Sequence, residues 1–134
     1  MNTETTEVFP IHSSEHVVDV RRQVRDWAVK LGFSLVDQTK LVTAASELAR
    51  NTLEHGHGGQ MTLEALTNGT RKMLRLAFED QGPGIPDVDL ALKDGWTSGN
   101  GLGLGLGGAR RLSNEFDIQT KPGEGTRIVI ARWT

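Results

Sequence analysis

Apolar residues change period several times along this chain, and the changes divide it into elements. Phe9 and Ile11 alternate with polar or constrained neighbours across residues 6–12, a short strand that Pro10, lacking an N–H, confines to a sheet edge. From Ser14 onward Val17, Val20, Val24, Trp27, Ala28 and Leu31 recur at spacings of three and four, the mark of an amphipathic helix that Gly32 stops. Ser34 and Asp37 resemble a capping box that opens a second helix, with Leu41, Ala45, Leu48 and Thr52 on its inner face and Gly56 past its end. Met61, Leu63 and Ala65 then alternate with Thr62, Glu64 and Leu66, and Asn68-Gly69 is a two-residue hairpin signal. The return strand alternates through Leu74, Leu76 and Phe78 and delivers Asp80 at its end. Phe116 and Ile118 mark another strand, Pro122-Gly123-Glu124-Gly125 a turn, and Ile128 and Ile130 a last strand over residues 126–133. This order predicts an α/β (α+β) two-layer sandwich, a mixed, mostly antiparallel sheet with helices on one face.

Composition narrows the function without choosing it. At 134 residues the chain is one domain long, enough to bury roughly 70% of its unfolded surface in a single core. No repeat or linker interrupts residues 1–134. The 15 basic and 17 acidic side chains nearly cancel, to a net −2, so the broad basic field that draws nucleic acid or an anionic membrane is missing. There is no cysteine, which removes disulfides, thiolate catalysis and Cys-based zinc sites. The N-terminal MNTETTEVFP is polar and acidic, unlike a signal peptide, and no apolar run reaches membrane-spanning length, so a cytoplasmic location is expected. Arg21, Arg22, Arg25 and Lys30 line the outer face of the first helix, a solvated face or a surface for a partner protein.

The chemistry concentrates between Glu79 and Leu112. Gly82 and Gly84 follow a strand-end acid, and Gly101, Gly103, Gly105, Gly107 and Gly108 lead into Ala109-Arg110-Arg111-Leu112. Glycine costs about 1 kcal/mol relative to alanine inside a regular element, so this density calls for bare backbone. A glycine turn feeding a helix start leaves N–H groups pointing outward at the positive end of the helix dipole, the recipe for holding phosphate. Gly103, Gly105 and Gly108 also satisfy a dinucleotide fingerprint, but no strand runs into them and too little chain follows; a Walker A lysine is absent. Upstream, Glu47 and Asn51 are four apart on the second helix, so a carboxylate that accepts a proton and an amide oxygen that grips a hard cation share one face. His55 and His57 lie in a Gly-rich turn with no third ligand in sequence reach, and read as loop histidines rather than a metal site.

SELARN on a helix, DQGPG after a hairpin strand, GLGLGLGG, and Gly125-Thr126, in that order, resemble the N, G1, G2 and G3 boxes of the GHKL (Bergerat-fold) ATPase superfamily. Together with DQGPGI and GARRL-x-x-EFDI they look most like the RsbT type, the small serine/threonine kinases of bacterial partner-switching modules. The resemblance implies ATP and magnesium as cofactors, with Glu47 as general base and Asn51 as the metal ligand. It further implies Asp80 on the adenine amino group, Gly82 and Gly84 where backbone approaches the base, residues 85–100 as lid, and Gly101, Gly103 and Gly105 as phosphate cradle. Thr126 would support Asp80, directly or through water. Arg110 and Arg111 stand either within reach of phosphate or in a solvated first turn. The implied substrate is a STAS-domain antagonist (RsbS-like), with a phosphatase (RsbU-like) or a sigma factor as further partner. The alternative is an anti-sigma factor kinase of the RsbW/SpoIIAB type; a histidine kinase catalytic domain fits less well, because no helical hairpin with an acceptor histidine is present.

Overall fold

A computed structural model describes residues 2–93 and 105–134. Strand β1 (Asn2–Ile11) leads into helices α1 (Ser14–Lys30) and α2 (Leu35–Glu54), then the hairpin β2 (Gly59–Thr67) and β3 (Lys72–Asp80). Two short helices follow, α3 (Val88–Ala91) and α4 (Gly105–Arg111), before a closing hairpin of β4 (Glu115–Thr120) and β5 (Thr126–Trp133). The sheet order is β1-β2-β3-β5-β4. Every strand pairing among the described residues is antiparallel, in keeping with the mostly antiparallel sheet expected. β5 lies between β3 and the edge strand β4, which brings the last strand beside the strand that ends in Asp80. β1 occupies an edge, as Pro10 requires, although it starts four residues earlier than the alternation predicts.

Both long helices begin as their caps dictate. Ser13 Oγ accepts the His16 N–H at 3.3 Å and Ser34 Oγ the Asp37 N–H at 3.1 Å, each satisfying one orphan donor. α1 ends at Gly32, whose φ of 85° only glycine takes without strain. Helical spacing then turns Val17, Val20, Val24 and Ala28 of α1, and Leu41, Ala45 and Leu48 of α2, onto the sheet. They meet Met61, Leu63, Leu74, Leu76, Phe78, Ile128 and Ile130 in one buried cluster. Trp27 is only half-buried, with Lys30 Nζ 4.6 Å above its ring.

The other face of the sheet is carried by the alternate residues. It holds the cross-strand ion pair Glu64–Arg75 at 3.1 Å, the longer pair Glu79–Arg127 at 3.9 Å, and a small cluster of Leu66, Met73, Ala131 and Trp133. Such exposed pairs contribute little each, about 0–1 kcal/mol, but they keep this face wet and the helices on one side.

One long-range polar contact ties the helical layer to the last strand. Arg132 of β5 donates from Nη2 to Asp37 Oδ1 at 2.7 Å and from Nη1 to the Leu112 carbonyl at 2.8 Å, joining the start of α2 to the end of α4. Asp37 therefore turns its carboxylate to Arg132 instead of closing the reciprocal half of a capping box. That hydrogen bond holds its pKa below the ordinary 3.8, against the opposing effect of burial. A depressed carboxylate pKa adds stability that is present above the ordinary value and is lost as pH falls through the depressed one. Asp37→Asn should accordingly cost about 1–3 kcal/mol at neutral pH. In urea titrations the gap to wild type should close as the solution is acidified; a gap independent of pH would contradict this role.

Candidate nucleotide site

The site is assembled at the C-terminal end of α2. The Asn51 carbonyl accepts N–H groups from His55 at 2.9 Å and Gly56 at 3.1 Å, and Gly58 N–H returns to the Thr52 carbonyl at 2.9 Å. Between them His57 sits at φ 62°, the left-handed region a side chain disfavours. This tight exit throws Gly56 against the end of β3. A Cβ on Gly56 would overlap the Asp80 carboxyl group, and one on Gly82 would lie 2.7 Å from the Gly56 Cα. Three segments thus meet at van der Waals distance because two of them have no side chain. Gly84 packs in turn against the Lys121 carbonyl, at the β4–β5 turn.

Asp80 itself is half-buried and pairs in register with Thr126 of β5 and Gly59 of β2. Its Oδ1 accepts the Gly82 N–H at 2.9 Å. Burial pushes the carboxyl pKa above the ordinary 3.8, while the N–H groups of Gly82 and Thr126 and positive charge on His57 and His55 pull it back. Thr126 is buried, its hydroxyl 2.9 Å from Thr120 Oγ1. Thr120 Oγ1 in turn accepts the Ile85 N–H at 2.9 Å, which anchors the start of the segment read as a lid. Asp80 borders two clefts, one toward His12, His57 and Gln60, the other toward Thr120, Lys121 and Thr126.

Glu47 lies two turns before the end of α2, where it lines a groove against α1; its carboxylate is 4.0 Å from Arg50 Nη1. Asn51 is half-buried one turn further on, and the Gly56 N–H on its carbonyl links it to the Asp80 cluster. Of the glycine run, Gly105 is the first residue of α4 with φ 62°, and Gly107 and Gly108 are buried within that helix, which contacts α2. The helix therefore starts inside the run, and Arg110 and Arg111 fall in its last turn, not its first. Gly101, Gly103 and the lid positions from 94 to 100 lie outside the described residues.

Residues 36–133 match the histidine kinase-, DNA gyrase B-, and HSP90-like ATPase family. The chain belongs to this ATPase family. It is 43% identical over 117 residues to the serine/threonine-protein kinase RsbT of Bacillus subtilis, covering 87% of this chain and 88% of that one. It is 27% identical over 128 residues to an anti-sigma F factor of Clostridium kluyveri, covering 91% of this chain and 89% of the relative. A crystal structure of the RsbU and RsbW domains of a Mycobacterium tuberculosis protein superposes with a TM-score of 0.65 at 22% identity; it covers 96% of this chain, which spans 32% of that one.

The donor set suits the ligands this ATPase family handles. Asp80 offers an acceptor whose remaining surface faces a cleft, the complement of an N–H-bearing base. Among the described residues no group of three His, Cys, Asp or Glu side chains lies together. Sequence reasoning left out Gly56, which reads as a helix stop, and Thr120, which carries no signal of its own and gains its role from the β4–β5 register. Because the folded pKa of Asp80 is raised, its ionised form weakens the empty fold as pH rises through that value. Asp80→Asn is expected to melt higher than wild type at neutral pH without nucleotide and to lose that advantage in acid. A lower neutral melting point would show the carboxylate to be structural.

Proposed function

We propose that this protein is an ATP- and magnesium-dependent serine/threonine protein kinase acting on a STAS-domain antagonist, within a module that works by partner switching. The observation that carries this reading is the Asp80 cluster, where an acceptor carboxylate, a glycine turn and the end of the Glu47–Asn51 helix are packed into one contact. The 43% identity to RsbT supports the protein kinase reading over the other activities of the family.

Each side chain has a task in that reading. Asp80 accepts a hydrogen bond from the amino group of adenine, and an ionised carboxylate, having no donor, discriminates against the exocyclic carbonyl oxygen of guanine. Thr126 and Thr120 hold the strand end that carries it, and Gly82 and Gly84 allow the chain to fold closely around it. Asn51 supplies an amide oxygen to magnesium, and Gly101, Gly103 and Gly105 supply backbone N–H groups to the phosphates. Magnesium, when bound, neutralises charge on the phosphates. Glu47 orients the acceptor hydroxyl and takes its proton as the hydroxyl oxygen bonds to the γ-phosphorus and the bond from that phosphorus to the bridging oxygen breaks, with ADP leaving; phosphoryl transfer asks little more of a protein than positioning and charge balance.

A second reading has its own support. The anti-sigma F factor of Clostridium kluyveri is 27% identical over 91% of this chain, which supports capture of a sigma factor on the same scaffold as the alternative. Transfer to a STAS protein followed by activation of a phosphatase belongs to the first reading; stable capture of a sigma factor belongs to the second.

Two variants separate the roles at the site. Glu47→Ala should retain ATP affinity by calorimetry and lose radiolabel transfer to purified STAS-domain proteins by a factor of about 100 or more. Asp80→Asn should lose ATP binding itself. The reverse pattern would overturn both assignments.

A further inference from the structure

Thr120 ends β4, and its hydroxyl stands where three segments meet. Its Oγ1 accepts the Ile85 N–H at 2.9 Å and lies 3.2 Å from the Gly125 carbonyl and 2.9 Å from Thr126 Oγ1. We propose, resting on the ATP reading above, that Thr120 is a positioning residue for the base: it donates to Thr126 and so turns the Thr126 hydroxyl outward, as a donor to the ring nitrogen beside the adenine amino group. Asp80 accepts from the amino group while Thr126 donates to its neighbour.

Proton counting carries the argument, since a hydroxyl has one proton and two acceptor lone pairs. The Ile85 N–H can only donate, so it occupies one lone pair of Thr120 in every arrangement. The single proton of Thr120 then goes either to the Gly125 carbonyl or to Thr126. In the first case Thr126 must donate to Thr120, and only its lone pairs can face a ligand. In the second the Thr126 proton is free to point outward. The contact to Thr126 is the shorter of the two, and a ligand that offers an acceptor selects this arrangement. Thr126 is buried, and among the described residues Thr120 is the one partner of its hydroxyl, which leaves bonding capacity for a ligand. Thr126 also pairs in register with Asp80, so the two side chains point to the same face of the sheet, and both border one cleft. An acceptor beside a donor is the complement of the adenine edge, where an amino group adjoins a ring-nitrogen acceptor. Ile85 is itself held for this task. The Gly123 N–H donates to the Pro83 carbonyl at 2.8 Å, Gly84 sits against the Lys121 carbonyl, and the Ile85 side chain packs on the core.

The test is calorimetry on the full chain with magnesium and either ATP or 1-deaza-ATP, which lacks that ring nitrogen. Wild type should bind 1-deaza-ATP about tenfold more weakly than ATP. Thr120→Val keeps the shape and removes the hydroxyl; it should bind ATP about tenfold more weakly while its affinity for 1-deaza-ATP stays within about twofold of wild type. Thr120→Ser returns the hydroxyl and should restore the preference for ATP. Thr126→Val should erase the preference, and Thr120→Val/Thr126→Val should bind ATP no worse than Thr126→Val, because the first side chain acts through the second. A residue that only supports the fold would lower both affinities together, and that result overturns the proposal. Equal binding of the two nucleotides by wild type also overturns it, and this arm needs no variant to fold. Wild type binding neither nucleotide would overturn the ATP reading and the proposal with it.

Discussion

The structure depends most on one close contact, the bare Cα of Gly56 against the carboxyl group of Asp80. α2 must end within reach of the β3 terminus for that contact to exist, and the Asn51 carbonyl holds the turn by taking the Gly56 N–H. Gly82 returns to the same point from the far side of Asp80. Any side chain at Gly56 would separate helix from strand, and overpacking of this kind costs about 1–3 kcal/mol where it can be absorbed at all. The carboxylate gains its raised pKa from the same closeness, because the packing that fixes it also removes water.

Everything else in the fold serves to aim two layers at that point. The apolar stripes of α1 and α2 and the inner residues of β2, β3 and β5 set the distance between helix and sheet. The Arg132 contacts with Asp37 and the Leu112 carbonyl set where α2 starts, at the end opposite to Gly56. A helix held at both ends presents Glu47 and Asn51 at defined places along its length. The charged pairs on the other sheet face leave that side to solvent, which keeps the helices, and with them the site, on a single face.

Much of this was legible in the order of residues, because period and punctuation are local properties. Val17 to Ala28 spell a helix, and a hairpin forms at Asn68-Gly69, but with four residues, 68–71, between the paired Thr67 and Lys72 instead of the two-residue loop that the Asn-Gly signal predicts, because the Asn68 N–H bonds the Arg71 carbonyl at 3.1 Å. The strand order was not legible, since nothing in β4 or β5 states that β5 will pair with β3. Thr120 illustrates the consequence: its contacts with Thr126 and Ile85 follow from pairing and turn geometry alone. The helix start inside the glycine run was missed for a related reason. Gly107 and Gly108 are poor helix formers by intrinsic propensity, and burial against α2 overrides that cost.

The amino-acid sequence by itself determined the elements, the face of each helix that turns inward, and the residue types available for nucleotide chemistry. These rest on propensity, periodicity and short-range hydrogen bonding, which act over a few residues. Tertiary structure alone decided that Gly56, Asp80, Gly82 and Thr126 would be neighbours, that Asp37 would find Arg132 across 95 positions, and that Glu47 would open onto an arginine-lined groove. Those relations come from the way the layers pack, and packing joins residues that carry no information about one another until the chain is closed.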